Sequence, residues 1–439
     1  MASPQHSVSD DILSDPLKTS QSAPLLVAEY TEAHPVPTQM SSGHIEVQES
    51  DCADHPAVDS RTESRSPSTT VPEPEDPKNS SLNTNSQDIS MQQQQDKGIT
   101  GLANMRNTCY LNATLQAIRH NTELSAFFLE GRHEQWLQKK RPSPKVDLVN
   151  GYADVVKALW SASKPAYIRP QGFLQAVMPA ARNAGFEQFL IPRQHDSHEF
   201  LTFLLDQLHE GLAEEVNIEI MRPTPKTPQD VLIQKALEFW KQSFGKQYSP
   251  LTEIAYGLLH VTITCKGCGS VGNNFETFNC LKLPIPQKST ELPTITSMLS
   301  EDFKEEEIEG YACDKCSPTR TIAIKKIHIW RLPRMIALVV KRFTADGRKI
   351  HTPIAFPSYE STAFTEYFSP MTLEPSKNQK YQCFAIVDHH GSAGGGHYVC
   401  QAKSPLSEKW NLFDDERTHS LESPQFGESS YIMLLKPSK

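Results

Sequence analysis

"GLANMRNTCYLNATLQ", residues 101–116, decides how the chain is read. A cysteine stands here among small polar residues, directly ahead of a run from Tyr110 to Ile118 with helical spacing. Asn107 and Thr108 are cap-type residues, so the pattern predicts a helix that begins beside Cys109. A free thiol titrates near 8.5, and only a few per cent of it is nucleophilic thiolate at neutral pH. Unpaired N–H groups and the dipole at a helix N-terminus favour the thiolate. Cys109 is therefore a candidate nucleophile. On this stretch alone, a buried structural thiol remains the alternative.

A thiolate catalyst needs a nearby imidazole and a third group to hold that ring. The C-terminal stretch "GGGHYVCQAKSPLSEKWNLFDDERT" (394–418) offers both. "HYVCQAK" and "KWNLF" read as strands joined by a turn around "SPLS" (404–407). If that turn is tight, His397 and Asp414 face each other across the open end of the hairpin, within reach of a hydrogen bond. A one-residue bulge would present Asp415 instead. Three consecutive glycines, Gly394 to Gly396, suit a place where backbone must come close or adopt positive φ. His389 and His390 are rival bases, but neither has a carboxylate that spacing can place beside it.

Outward from these two stretches, the 439-residue chain divides in character. Residues 1–98 hold 16 Asp/Glu against 5 Lys/Arg and a single aromatic, Tyr30. The net charge of −11 there leaves about +2 for the rest, given −9 overall. A chain so poor in large apolar groups cannot offset the entropy of ordering, so this acidic, Ser/Pro/Gln-rich tail is expected to be disordered. Within it, "APLLVAEY" (23–30) is a possible docking motif for partners, and "RSPS" near Ser66 a possible phosphate acceptor. The near-neutral remainder has no basic face for nucleic acid. No run of about 18 apolar residues is present to span a membrane. The opening "MASPQHSVSDDILSD" lacks the form of a secretory signal. Nine cysteines in such a chain read as thiols or metal ligands, which places the protein in cytoplasm or nucleus.

After Gly98, "NATLQAIRH", "AFFLEGRHEQWLQ", "GYADVVKALWSA" and "HEFLTFLLDQLHEGL" read as helices. In the last of these, Phe200, Leu204 and Leu208 recur at i, i+4 and i+8 and read as core. Beyond residue 250 the pattern changes to strands: "GLLHVTITC", "IALVVKRF", "YQCFAIVDHH", "HYVCQAK" and "YIMLLKP". Helices followed by antiparallel strands give an α+β class. Two C-x-x-C pairs, Cys265/Cys268 and Cys313/Cys316, lie 44 residues apart. Four thiolates on two tight turns match one structural, tetrahedral Zn²⁺. Cys280, Cys383 and Cys400 read as core thiols.

These stretches together resemble the ubiquitin-specific protease family, the papain-like deubiquitinating cysteine isopeptidases. "GLANMRNTCYLN" resembles its cysteine box and the 394–418 stretch its histidine box. "QHDSHEFLTFLLDQL" (194–208) and "IALVVKRF" followed by "RKIHTPIAFP" resemble two intervening blocks. The resemblance covers about residues 99–436 and implies thumb, palm and fingers subdomains, with zinc in fingers at roughly 250–335. It implies Cys109 as nucleophile, His397 as general base and then acid, Asp414 as its orienting group and Asn104 as an oxyanion donor. Asp415 matches a second supporting acid. Asp196 and Glu199 match positions that grip the basic tail of ubiquitin, although the same pair could form a capping box. Gly395 and Gly396 would narrow the channel to a Gly-Gly tail. The implied partners are ubiquitin and ubiquitinated proteins.

The chain departs from the family where Arg106 replaces the usual Gly, and Ala113 a usual Ser. A positive φ at Arg106 would carry a steric cost. This departure keeps open the reading of an impaired ubiquitin-binding scaffold; a protease that acts on another ubiquitin-like modifier is a separate alternative.

Overall fold

The computed structural model describes residues 97–220, 224–286 and 290–438. The tail expectation therefore lies outside the described residues except at Lys97 and Gly98, and so do the docking and phosphate motifs within it.

Helices come first. The principal ones are α1 (Cys109–Arg119), α2 (Pro144–Leu159), α3 (Gln171–Ala184), α4 (Ser197–Leu212) and α5 (Pro228–Phe244). All eleven residues of α1 are buried, although its sequence is half polar. Much of its polar face bonds to the chain that precedes it. Gln116 Nε2 donates to Thr100 O at 2.9 Å, Asn112 Nδ2 to Ala103 O at 3.2 Å, and Arg119 Nη2 to Gly98 O at 2.5 Å. These bonds offset part of the cost of burial, although Asn112 Oδ1 and Arg119 Nη1 find no hydrogen-bond partner. Alongside, α4 buries Phe200, Leu204 and Leu208 as its periodicity predicts. Thr114 of α1 and Ser197 of α4 share a buried hydroxyl–hydroxyl bond of 2.8 Å. The stretch 126–138 is not continuous helix. Gly131, at φ 70°, breaks it into Thr122–Leu129 and Arg132–Leu137.

Besides a two-stranded parallel pair, Gly101–Leu102 with Tyr167–Ile168, the described strands form two larger sheets. One carries β1 (Gly257–Cys265), β2 (Val271–Phe278), β4 (Glu306–Ala312) and β5 (Arg320–Arg331) in the order β2-β1-β5-β4. Its three ladders are antiparallel. The other contains β3 (Cys280–Leu283), β6 (Ile336–Val340), β7 (Lys380–Ser392), β8 (Gly395–Lys403), β9 (Trp410–Asp414), β10 (Arg417–Leu421) and β11 (Ser430–Pro437). Its order is β10-β9-β8-β7-β11-β6-β3, and Thr362–Ala363 adds a short pair to β7. This sheet is antiparallel apart from β3 with β6, which run parallel. All five residues of β6 are buried, as expected of a strand covered on both faces.

The helical layer packs on one face of this second sheet, where α1 meets β8 and shares a core with Phe384, Val387, Tyr398 and Phe413. A separate core on the sheet includes Ile336, Leu338, Ile386 and Met433 with Met298 and Leu299 of a short helix. Helices, long sheet and four-stranded projection correspond to thumb, palm and fingers. Among the described residues, no helix is long and apolar enough to cross a membrane.

Candidate active site

Cys109 is the first residue of α1 and is 2% exposed. Thr108 holds the cap position, but its side chain does not cap the helix. Its hydroxyl instead accepts from Met105 N at 2.8 Å, while its own N–H donates to Asn104 Oδ1 at 3.2 Å. No acidic residue lies in the first turn, so the positive end of the helix is left for the sulfur. The loop ahead of it is strained where the sequence departs from the family. Arg106 sits at φ 73° and Asn107 at φ 60°. Asn tolerates this region better than Arg, whose Cβ crowds the following carbonyl.

His397 approaches from β8. Its Nε2 bonds Asp414 Oδ1 at 2.6 Å, and the ring also has the Cys109 sulfur as a hydrogen-bond partner. Cysteine, histidine and aspartate, drawn from positions up to 305 residues apart, thus meet at one point. The imidazole pKa is pushed up from 6.5 to about 9, chiefly by the bond to Cys109 and, against the opposing effect of burial, by Asp414.

The partner of His397 was legible; the register was not. The β8–β9 ladder pairs Cys400 with Phe413 and Lys403 with Trp410, two residues away from the tight-turn expectation. The connection is longer because Ser404 Oγ accepts from both Leu406 N and Ser407 N, and Glu408 takes φ 58° before the chain returns. A shift of two keeps every side chain on its face. His397 and Asp414 therefore meet diagonally, which an imidazole and a carboxylate can span.

Asp415 makes no hydrogen bond to the histidine, although a carboxylate oxygen lies within 4.8 Å of a ring nitrogen. It sits at φ 49° in the turn between β9 and β10, and its carboxylate accepts from Asn104 Nδ2 and Asn112 Nδ2, each at 2.8 Å. Its carbonyl accepts from Leu102 N at 2.8 Å, and Glu416 Oε1 from Asn104 N at 2.8 Å. Gly101 makes this docking possible, since a β-carbon there would stand 2.6 Å from Glu416 O. Asp415 and Glu416 thus hold the cysteine loop against the palm, next to the acid that holds the histidine.

Beside the pair lies a cleft of about 450 Å³ lined by Asp196, Glu199, Gly395, Gly396, His389 and Gln194, among others. The four residues expected to bind a tail are thus brought together. Asp196 caps α4, with Oδ1 accepting from His198 N and Glu199 N, while Oδ2 accepts from Tyr431 OH at 2.8 Å. The full capping box is not formed. Glu199 is exposed at the cleft. Of the rival bases, His389 is buried among Tyr398, Phe343 and the glycine loop, and burial lowers its pKa to about 4. Neither His389 nor His390 has a carboxylate hydrogen-bond partner among the described residues.

At the fingertips, the four zinc-candidate cysteines end the strands of two hairpins. Cys265 lies 3.8 Å from Cys316 and Cys268 3.6 Å from Cys313, and all four sulfurs are within 4.8 Å of one another. A tetrahedron with Zn–S bonds of about 2.3 Å demands sulfurs about 3.8 Å apart. The donor set fits that ion. Gly267 lets the chain pass, because a β-carbon there would lie 3.2 Å from the Cys316 sulfur.

A protein-family model described as ubiquitin carboxyl-terminal hydrolase matches residues 100–435. The chain belongs to the ubiquitin carboxyl-terminal hydrolase family. Among relatives in this family, ubiquitin carboxyl-terminal hydrolase 2 of Bos taurus is 28% identical over 349 residues, covering 77% of this chain and 55% of that protein. The same-named protein of Gallus gallus is 29% identical, covering 77% and 93%. Ubiquitin carboxyl-terminal hydrolase 21 of Homo sapiens is 28% identical, covering 77% and 61%. The chain therefore spans about half the length of the bovine relative. In fold it is similar to the Ubp8/Sgf11/Sus1/Sgf73 SAGA DUB module, solved bound to monoubiquitin. The TM-score is 0.58 at 22% identity, with 79% of this chain and 70% of that one covered. The module solved with ubiquitin aldehyde gives the same score.

Four members of this site escaped sequence reasoning: Asn112, Gln194, Glu416 and Tyr431. Asn112 and Tyr431 read as helix and strand interior. Glu416 was one acid among three, and Gln194 an unremarkable polar residue.

Proposed function

We propose that the chain is a thiol-dependent deubiquitinase, hydrolysing the isopeptide or peptide bond after the C-terminal glycine of ubiquitin. The observation that carries this reading is the His397 ring, bonded at once to the Cys109 sulfur and to Asp414.

With its pKa raised to about 9, His397 holds a proton at neutral pH, and the form of Cys109 that attacks is the thiolate. The thiolate attacks the glycine carbonyl carbon, and the electron pair moves to oxygen. As the C–N bond breaks, the imidazolium gives its proton to the departing amine. Neutral His397 then takes a proton from water, whose oxygen displaces sulfur from the thioester and restores the pair. Asp414 keeps the ring oriented throughout. One N–H of Asn104 is committed to Asp415, which fixes the amide and leaves the second to donate to the oxyanion with the Cys109 N–H. Such a donor lowers the barrier by about 2.7–4 kcal/mol.

In the cleft, Glu199 is the carboxylate free to pair with a basic tail, while Asp196 holds the helix start and Tyr431 in place. Gly395 and Gly396 restrict the approach to the sulfur. A zinc ion held by Cys265, Cys268, Cys313 and Cys316 would brace the fingers, and four thiolates leave it no open position for chemistry.

One observation favours a second reading, a ubiquitin-binding scaffold: the positive φ imposed on Arg106, three residues before the sulfur. The enzyme reading is preferred because the catalytic contacts form despite that strain. A ubiquitin probe with a C-terminal electrophile tests it. Wild type is expected to be labelled and Cys109→Ala not. Tight binding of ubiquitin without labelling favours the scaffold; indifference to ubiquitin favours another modifier.

A further inference from the structure

Gln194 is exposed and lies two residues ahead of the cap of α4, yet its carboxamide makes two reciprocal bonds to one residue of the palm. Its Oε1 accepts from Gly396 N at 2.8 Å, and its Nε2 donates to Gly396 O. This is the pairing one strand residue offers another. The β8–β9 ladder ends at Cys400, so the side chain supplies Gly396 with bonds that β9 does not.

The same contact explains the glycines unequally. A β-carbon on Gly395 would stand 2.9 Å from Gln194 Oε1. On Gly396 it would lie 2.1 Å from His390 O and 2.5 Å from His389 Nε2. On Gly394 its nearest neighbour would be 3.9 Å away. The hairpin tip is thus pressed between Gln194 on one side and His389 with His390 on the other. Gly391, at φ 116°, completes the tight return. Gly396 directly precedes His397, and α4 packs against the helix that begins with Cys109. Gln194 therefore joins the thumb to the palm beside the catalytic pair, at the wall of the cleft.

We propose that Gln194 is a positioning residue, a latch that fixes the 391–396 hairpin tip and so sets the width of the channel for the substrate's last two residues. This rests on the deubiquitinase reading. Releasing the latch lets the tip move outward, which weakens the grip on a Gly-Gly tail and relaxes the exclusion of a bulkier one. One added methyl in a fitted site discriminates by about 10–200-fold, so the effect is large enough to measure.

The test compares two fluorogenic substrates, ubiquitin-aminocoumarin and the same conjugate with alanine as the penultimate residue, on wild type, Gln194→Ala and Gln194→Glu. For Gln194→Ala we expect KM for the native tail to rise about tenfold with kcat nearly unchanged, and the glycine-over-alanine preference to fall about tenfold. Gln194→Glu retains the acceptor and loses the donor, so it should show the same loss of preference. Because Gln194 is exposed, melting temperature should hold. The pH profile of Cys109 alkylation by iodoacetamide should also hold, since the catalytic pair keeps its own contacts. An unchanged preference in Gln194→Ala overturns the latch. So does an alkylation profile that shifts with activity, which would place the effect in the pair. A wild type that alkylates normally but cleaves neither conjugate removes the deubiquitinase reading, and this one with it.

Discussion

The catalytic corner and the fingertip solve the same problem, gathering residues from distant parts of the chain, by opposite means. At the corner, the 414–416 turn is bonded to Leu102, Asn104 and Asn112, and the geometry is complete from the protein's own groups. At the fingertip, four sulfurs converge with one another, the hydroxyls of Thr321 and Ser270 and backbone groups of the 265–270 turn within bonding distance. Sulfur-to-sulfur contacts are weak, so that convergence asks for an ion. The corner should thus hold its shape in isolation, whereas the fingertip should depend on a ligand.

The largest expected effect breaks the corner without touching the fingers. Asp414→Asn removes the charge and one of the two acceptor oxygens beside His397, and kcat/KM is expected to fall about 10⁴-fold. Both losses lower the imidazole pKa, so the alkaline limb of the pH–rate profile, expected near pH 9 in wild type, should move to lower pH. The stability linkage has a definite sign. The folded value, about 9, exceeds the unfolded one of about 6.5, so the contribution is full below about pH 6.5 and is lost as pH rises through 9. Thermal melts of wild type and His397→Ala across that window check it. An unshifted alkaline limb in Asp414→Asn would mean that the carboxylate does not govern the ring.

Next in size, Cys313→Ser breaks the fingertip alone. Native mass spectrometry should find one Zn²⁺ on wild type and none on the variant, with the melting temperature lower by about 5 °C or more. Alkylation of Cys109 should proceed at the wild-type rate. A stable metal-free wild type would remove the distinction between the two regions.

Smallest is Arg106→Gly. Freeing the φ of 73° should stabilise by about 1 kcal/mol, or roughly 2 °C, partly offset by the greater freedom of glycine when unfolded. Calorimetry reads the shift, and the probe assay shows whether the sulfur is labelled faster. A fall in stability would mean that Arg106 makes contacts outweighing its strain.

The parts of the fold legible in the sequence are those written in a single element. β1 follows "GLLHVTITC", and α4 keeps Phe200, Leu204 and Leu208 inside, because apolar spacing fixes which face is buried. Where two segments must meet, the sequence says less. The 404–409 connection is lengthened by a serine bonding its neighbours' N–H groups, which composition does not reveal, and so the register slid by two. Cys109, His397 and Asp414 still came together, because an even slip preserves the face. α1 was readable as a helix but not as a fully buried one, since Asn112, Gln116 and Arg119 look like a wet face until Gly98–Ala103 lies over them. Gln194 is invisible in the sequence for a like reason: its partner is main chain 202 residues away.

The 414–416 turn makes neighbours of two duties, steering the imidazole and anchoring the Asn104 amide. Whatever lifts that turn, a bound protein or a distorted adjoining hairpin, would disarm both in one movement. Activity in this architecture should then behave as a binary quantity, with molecules either fully competent or silent, and a reduced rate in bulk would report a mixture of the two.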